Sequence, residues 1–478
     1  MTIPEGSPAV QPTPRRRKWL RWLLVLILLP IAVYVVEDIH GVVSWGLMKR
    51  KLAAQGHKTD YRDTIPPEIP DAQNIFKAPI AQLWLPRKGA TESKPVRMPE
   101  FPHDYPPSFT IPYSLKDIKS LPKESAANDP DEPSQTGLDK WFNQWRAQFE
   151  ELDEATQRPQ ARLDGDYSIG FRAPVPNYVR FRTLAQVLGT RAKLDFVLGH
   201  HEQGVRDLAT IKGLMKALDT EPHLLVSAMI RVAIGGLYVD AVREVMNDGL
   251  LNESDLIAVQ EQLTGIDLVT AAWKAVHESE RLATCNLIDQ LVGEWDSKKS
   301  AELFGNQKGM GQFVTWAPRG WLRLNQVTVS ELLITTFDGF DPKTRRYNVA
   351  AIDAGLRHTE AMTRHATPYN LMALIATPNF IKANKTTAFN QTLVDQALVA
   401  CAIERFKLAN KVPPESLSDL PAKFLKTRPH DLFTGKDFVY RSKMDDTYIL
   451  YSVGWNGTDD GGFGGGAAVR ADSMDWVW

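Results

Sequence analysis

The chain has 478 residues, 43% of them hydrophobic, which is enough for one or more buried cores and excludes disorder throughout. Its 56 Lys and Arg residues balance 57 Asp and Glu residues, so the net charge is -1. No overall field favours nucleic acid, and we expect no nucleic-acid partner. The two cysteines, Cys285 and Cys401, lie in predicted helices. A disulfide between them is one alternative, but we favour two separate buried thiols.

An apolar segment near the N-terminus predicts a membrane anchor. Residues 1–18 predict a disordered cytoplasmic tail that ends in four basic residues, and Trp19 to Val36 (residues 19–36) is apolar apart from Arg21. At about 1.5 Å per residue, this run covers most of a hydrocarbon core about 30 Å thick. The basic cluster before the run and the acidic Glu37 and Asp38 after it predict a cytoplasmic N-terminus, with the rest of the chain across the membrane.

A cleaved signal peptide is the main alternative to an anchor, and a buried soluble helix is the second. The end of the apolar run has no small-x-small cleavage site, and its charged flanks argue against a buried helix. We therefore predict an uncleaved, single-pass anchor in a bacterial inner membrane, with the bulk of the chain in the periplasm. Residues 37–56 predict an amphipathic juxtamembrane helix at the membrane surface, ended by Gly56.

Helical patterns dominate the middle of the chain. Prolines recur within residues 57–137, which forbids long helices and predicts an extended arm that either wraps the body or acts as a stalk. Residues 138–298 predict the helical body. Within it, Phe181 to Gly199 and Glu202 to Leu218 predict an antiparallel pair that resembles half of a tetratricopeptide-type unit. A nearly all-apolar helix starting near Glu221 is predicted to be central to the core.

The pattern becomes mixed after the helical body. Residues 299–385 combine loop and helix signals: glycines from Ser297 to Gly320 predict a loop or lid, and Trp321 to Phe337 predicts a helix. Residues 386–478 begin with the last predicted long helix, Gln391 to Asn410. One face of that helix is apolar except for a single arginine.

A β-rich module follows the last helix. Phe438 to Tyr440 and Tyr448 to Val453 predict a β-hairpin with its turn at Lys443 to Thr447. An acidic, glycine-rich loop then runs from Gly454 to Gly466. The predicted fold class is mainly α, with an N-terminal transmembrane helix, a helical-hairpin body of tetratricopeptide type and a small C-terminal antiparallel β module (α+β).

The C-terminal module also contains a succession of short motifs, namely Ala402–Asn410, Pro414–Leu417, Pro429–Gly435, Phe438–Arg441, Tyr451–Gly454, Asn456-Gly457, Gly461-Gly462 and Ala471-Asp472. Their order and spacing resemble the C-terminal half of the major pseudopilins of type II secretion. The resemblance implies a helix leading into a small antiparallel sheet, and an acidic loop that binds calcium. The whole chain is also similar to an uncharacterised family of membrane-anchored bacterial envelope proteins that share this tail.

The chain departs from the pseudopilin pattern at its N-terminus. The apolar run contains no acidic residue and follows four basic residues, whereas pseudopilins have a short leader, a processing glycine and a glutamate in this helix. This difference argues against processing and assembly as a pilus subunit.

The candidate metal ligands of the glycine-rich loop are Asn456, Asp459, Asp460 and Asp472. Calcium takes about six to eight oxygen ligands from carboxylates, amides and carbonyls. These four side chains, together with carbonyls such as that of Val453, predict a calcium site. The alternative is a polar loop whose acids face water. Asn456 also stands where the pseudopilin family usually has an aspartate.

Catalytic motifs are not found in the sequence, which lacks HExxH, GxSxG, Walker and dinucleotide fingerprints. His200-His201-Glu202 predicts a solvated turn rather than a metal site, because adjacent side chains point apart. We therefore assign no catalytic or cofactor-binding residue and no small-molecule substrate.

The leading functional hypothesis is an envelope interaction or scaffold protein with a protein partner. A deep polar pocket with convergent titratable groups would count against it. One alternative is an accessory component of a type II secretion or pilus-like machine. The other is an enzyme whose acids, among them Glu278, Glu280 and Glu404, meet only in three dimensions.

Overall fold

The structure is a computed structural model, and it describes residues 16–85, 114–125, 133–219, 224–303, 310–376, 380–444, 447–463 and 471–478. The predicted disordered tail therefore lies outside the described residues, as do part of the proline-rich arm and the end of the glycine-rich loop.

Helices form most of the described chain. In order they are α1 (Arg16–Ala54), α2 (Pro79–Trp84), α3 (Leu115–Ser120), α4 (Gln135–Asn143), α5 (Arg146–Gln157), α6 (Tyr178–Leu198), α7 (His201–Ala217), α8 (Leu225–Asn247), α9 (Glu253–Leu263), α10 (Leu268–Lys274), α11 (Arg281–Gly293), α12 (Ser297–Leu303), α13 (Met310–Trp316), α14 (Arg319–Phe337), α15 (Val349–Thr363), α16 (Leu371–Ala376) and α17 (Phe380–Asn410). A π-helical segment, Ala275–Glu280, joins α10 to α11.

The strands are β1 (Phe340–Asp341), β2 (Arg346–Tyr347), β3 (Val439–Ser442), β4 (Tyr448–Ser452) and β5 (Trp476–Val477). The first two form a small antiparallel hairpin, and the last three form an antiparallel sheet in the order β3-β4-β5. The predicted C-terminal hairpin is confirmed, with Tyr440 opposite Leu450. β5 is an addition that the sequence did not indicate. The mainly α fold with a small antiparallel β module is as predicted.

The main core lies between α6, α7, α8, α9 and α17. α6 and α7 form the predicted antiparallel pair, separated by Gly199 in the left-handed conformation that favours glycine (φ 81). α8 buries Val232, Tyr238 and Val242, as its apolar sequence predicts. The C-terminal module belongs to the same body, since Gln396 of α17 donates a hydrogen bond to the backbone oxygen of Trp476 (2.7 Å).

The described part of the proline-rich arm wraps the body. Its helices α2 and α3 have 6 residues each, in keeping with the prolines around them. Ile75, Phe76 and Trp84 are buried in the main core. Trp84 meets Phe149 of α5 edge-on, with ring centroids 5.6 Å apart. This packing supports the wrapping alternative for these residues.

Two sequence-based predictions were wrong, one of a loop and one of the start of a helix. The predicted loop from Ser297 to Gly320 contains α12 and α13, because Gly311 lets these helices pack closely: a Cβ there would overlap the backbone oxygen of Ser297. The last long helix starts at Phe380 instead of Gln391. Its first turns carry polar residues that obscure the periodicity, and one of them, Thr387, donates back to the carbonyl of Ala383 (2.8 Å).

The N-terminal helix α1 has two differently packed halves. From Trp22 to Leu29 its apolar side chains are exposed. The helix from Arg21 to Ala54 is long and apolar enough, by length and composition, to cross a membrane. α8 meets the same criteria of length and composition, but its apolar window is 56% buried and it belongs to the core. The second half of α1 packs against α14 and buries Trp45, Met48 and Leu52 beside Cys285.

Candidate ligand-binding cleft

A cleft of about 750 Å³ lies between the end of α9, the middle of α17, the β1–β2 turn and the loop that follows α17. Its walls come from four separate parts of the chain. Charged side chains from each of these parts converge on it, together with apolar ones.

Arg405 is the polar exception on the apolar face of α17, and the cleft explains it. Its Nη1 donates to Oε1 of Gln260 (2.7 Å), and its guanidinium lies over the ring of Phe424 (5.4 Å). Gln260 in turn donates to the backbone oxygen of Phe424 (2.7 Å). These contacts join α9, α17 and the C-terminal loop at one wall of the cleft.

Arg345 enters the cleft from a strained turn. Its φ is 51°, in the left-handed region where a side chain costs roughly 1–2 kcal/mol. Its Nε lies 3.5 Å from Asp267 and its Nη2 lies 3.7 Å from Asp395. Neither nitrogen makes a hydrogen bond with the described residues. Arg345 therefore forms long ion pairs with two acids.

Asp395 is the most buried charged group of the cleft, at 5% exposure. Its Oδ1 accepts a hydrogen bond from Nε2 of Gln391 (3.0 Å), whereas its Oδ2 has no hydrogen-bond partner in the described structure. Burial raises the pKa of this carboxyl to about 7, against the opposing effect of Arg345. Burial therefore favours the protonated form of Asp395 relative to an aspartate in water.

The cleft contains more cationic than acidic side chains. The cationic residues are Arg345, Arg405, Lys423 and Lys426, and the acidic ones are Glu261, Asp267 and Asp395. The described lining residues include no histidine, serine or cysteine. The described lining therefore offers no catalytic triad of the serine–histidine or cysteine–histidine type.

Three of the four predicted metal ligands of the glycine-rich loop take part in hydrogen bonds with groups of the protein. Asn456 donates from Nδ2 to Oδ2 of Asp460 (2.8 Å), and the hydroxyl of Tyr451 donates to Oδ1 of Asp459 (2.8 Å). Asp472 is exposed. The calcium site at these residues stays a prediction.

Sequence reasoning missed Asp475, which lies outside this loop, directly before β5. It is fully buried, and its carboxylate accepts hydrogen bonds from the backbone nitrogens of Gly462 (2.7 Å) and Asp460 (3.3 Å). This acid holds the glycine-rich loop against β5. The signal available in the sequence was that Asp475 directly precedes a tryptophan, Trp476.

A different group of potential metal ligands occurs among the described residues. Ligand atoms of Asp139, Asp195 and His200 lie within 4.8 Å of one another. Asp195 already lies beside the buried Arg191 (4.0 Å), so we assign no metal here. His201 pairs with Asp255 (2.6 Å), whereas His200 lies beside Asp195. The side chains of these two adjacent histidines therefore point apart, as predicted.

The three acids considered for an unrecognised active site have separate partners. Glu278 pairs with Lys58 (3.1 Å), and Glu280 accepts a hydrogen bond from the backbone nitrogen of Leu225 (3.0 Å). Glu404 interacts with β4 and the end of α17. These contacts give each acid a local structural role.

Comparisons of the chain with protein-family models, with curated proteins and with solved structures found no match.

Proposed function

We propose that this chain is a membrane-anchored envelope protein that binds a partner outside the cytoplasm. The observation that carries the proposal is the course of α1, which runs without a break from an exposed apolar half into a half packed on the body. Exposed apolar side chains along several turns are unfavourable in water and favourable in lipid. The basic residues before the apolar run of α1 favour a cytoplasmic N-terminus and a single-pass, inner-membrane topology.

Polar contacts begin where the apolar half of α1 ends. The hydroxyl of Tyr34 donates to the backbone oxygen of Ala317 (3.1 Å). Oδ1 of Asp38 accepts from the backbone nitrogen of Gly320 (2.7 Å), at the start of α14. An acid at a helix N-terminus is favourable because the backbone dipoles leave positive charge there. These contacts support a body seated directly on the membrane surface.

Exposed tryptophans lie beside this junction. Trp316 precedes the carbonyl that Tyr34 contacts and is 81% exposed. Trp295 is 63% exposed and lies under the guanidinium of Arg319 (3.7 Å). Tryptophan and arginine are favoured at the headgroup level of a bilayer, where an apolar ring and a charge are both accommodated. Their position supports the same orientation of the body.

The cleft favours a binding role over a catalytic one. It brings titratable groups together, so a plain scaffold without a ligand site explains less of the structure than a binding protein does. Its described lining nevertheless includes no serine, cysteine or histidine, the commonest nucleophiles and base of such catalysis. The accessory role in type II secretion stays a prediction based on the sequence resemblance of the C-terminal module.

Labelling in intact cells tests the topology. Lys411 is exposed on the body, and Ser7 lies in the tail. A membrane-impermeant maleimide should label Lys411→Cys in intact cells and Ser7→Cys only after lysis. The reverse pattern would contradict the proposed orientation, and extraction of the protein by alkaline carbonate would contradict anchoring.

Photo-crosslinking tests partner binding. A photoreactive residue at Lys423, on the rim of the cleft, should give a discrete adduct in cells. The matched position is the exposed Lys116 of α3, away from the cleft. Equal adducts from both positions, or none from either, would count against a partner at the cleft.

A further inference from the structure

The β1–β2 turn places an arginine where glycine is favoured. Asp341 organises this turn by accepting hydrogen bonds from the backbone nitrogen of Lys343 (2.9 Å) and the hydroxyl of Thr344 (2.7 Å). The next residue, Arg345, has a φ of 51°. Glycine adopts this conformation without strain, so the turn itself does not require a side chain. A strained residue that lines a cleft points to a role for its side chain there.

The guanidinium of Arg345 is poorly paired in the structure. Its separations from Asp267 and Asp395, 3.5 and 3.7 Å, exceed those of charge-assisted hydrogen bonds. Nε of Arg405, which also lines the cleft, lacks a hydrogen-bond partner among the described residues as well. Both arginines therefore retain donors that an anionic group accepts well, and arginine binds carboxylates through its planar donor edge.

The charge of the cleft favours an anion over a cation. Four cationic side chains line it against three acidic ones. One of those acids, Asp395, has its pKa raised to about 7 by burial, and its neutral form removes one opposing charge. In that form it also becomes a hydrogen-bond donor toward a bound anion.

The apolar lining sets the rest of the ligand chemistry. Leu263, Leu398 and Leu425 line the cleft together with the ring of Phe424. Its volume of about 750 Å³ falls in the range of small-molecule sites, roughly 300–1,000 Å³. Inorganic anions leave such a lining unused, whereas an anion with an apolar group occupies it.

We propose that the cleft binds an organic carboxylate that carries an apolar group, through Arg345 and Arg405. This chemistry is shared by apolar carboxylic acids and by the C-terminal end of a peptide. The carboxylate draws the Arg345 guanidinium from its long ion pairs into direct hydrogen bonds, and the apolar group packs beside Phe424. This binding site does not depend on the orientation of the body at the membrane.

Calorimetry on the purified full-length chain in detergent tests the site with two probes. One is 3-phenylpropanoate, and the other is N-acetyl-trileucine with a free C-terminal carboxylate. Each is compared with its own amide, which has the same shape without the charge, and titration of every probe into detergent alone corrects for uptake by micelles. We expect at least one acid to bind at least tenfold more tightly than its amide, and the probe that binds distinguishes a small acid from a peptide end.

The decisive variant is Arg345→Gly, which removes the guanidinium and relieves the backbone strain, so it should fold. It should weaken acid binding at least tenfold. Lys411→Gly is the matched control, because Lys411 also has a positive φ (68°) but does not line the cleft. No binding of either acid, equal binding of acid and amide, or unchanged affinity in Arg345→Gly would each overturn the proposal.

Discussion

Gly41 of α1 and Gly320 of α14 meet backbone to backbone. A Cβ on Gly41 would overlap the backbone oxygen of Gly320, and a Cβ on Gly320 would overlap the backbone oxygen of Glu37. The two helices therefore approach as closely as their main chains allow. This contact joins α1 to the body beyond its exposed apolar half.

We expect Gly41→Ala to separate α1 from α14 and to lower the free energy of unfolding by roughly 1–3 kcal/mol, as overpacking does elsewhere. Thermal unfolding in detergent measures the change. Gly46→Ala is the matched control in the same helix, because a Cβ there meets nothing within 4 Å. It should be neutral or stabilising, since alanine favours helix. Equal effects of the two variants would refute the close contact.

Trp316 should reside in the lipid headgroup region if the body sits on the membrane. In liposomes that contain brominated lipids, Trp316→Phe should reduce the fraction of tryptophan fluorescence that the bromine quenches. Trp478→Phe, in the C-terminal sheet, is the control and should leave that fraction unchanged. A quenched fraction unaffected by Trp316→Phe would place this corner of the body away from the bilayer.

Glu280 should make stability depend on pH. Burial raises its pKa from 4.5 to about 7, against the opposing hydrogen bond from the backbone of Leu225. The folded state thus favours the protonated acid, a contribution fully present below pH 4.5 and lost as the pH rises through 7. As the pH rises from 4.5 to 8, the free energy of unfolding of Glu280→Gln should increase by up to roughly 3 kcal/mol relative to that of the unsubstituted chain. Denaturant unfolding at pH 5 and pH 8 measures the difference in free energy of unfolding between the two proteins. The same difference at both pH values would contradict a pH dependence that comes from Glu280.

Cys285 and Cys401 should be unreactive in the folded protein. Both are free and buried, and burial raises the pKa of the Cys285 thiol to about 11 and that of Cys401 further. A maleimide at neutral pH should label neither thiol before unfolding and both after unfolding in SDS. Failure of both to react after unfolding, without reductant, would reveal a disulfide.

The predicted calcium site remains open to a direct test. If the glycine-rich loop binds calcium, titration of the full-length chain releases heat that Asp459→Ala/Asp460→Ala abolishes. Glu415→Ala is the control, because this acid is exposed and outside the loop. Heat that persists in the double variant would place the metal elsewhere, and no heat would leave the loop a structural element.

The spacing of apolar residues along the chain was enough to predict several helices and one β-hairpin. The α6–α7 pair, the apolar α8 and the β3–β4 hairpin all repeat their apolar residues at the spacing of a helix or a strand. The α12–α13 segment was missed because glycine was taken as a helix breaker. Gly311 instead permits close packing, a property that depends on a neighbouring helix.

The cleft was beyond sequence reasoning for a related reason. Asp267, Arg345 and Asp395 come from three distant parts of the chain, and no spacing connects them. The left-handed conformation of Arg345 becomes visible only in three dimensions. Arg405, alone on an apolar helix face, was the one local signal of this site.

The unbroken course of α1 couples its exposed apolar half mechanically to the body. Although Pro30 lies within the helix, α1 continues through it to Ala54 without a flexible linker. A change in bilayer thickness that tilts a spanning helix would therefore tilt the whole body through a similar angle. Rotation of the helix about its axis would likewise change which neighbours the cleft faces. If α1 spans a bilayer, the lipid environment therefore acts on the position of the cleft through this one helix.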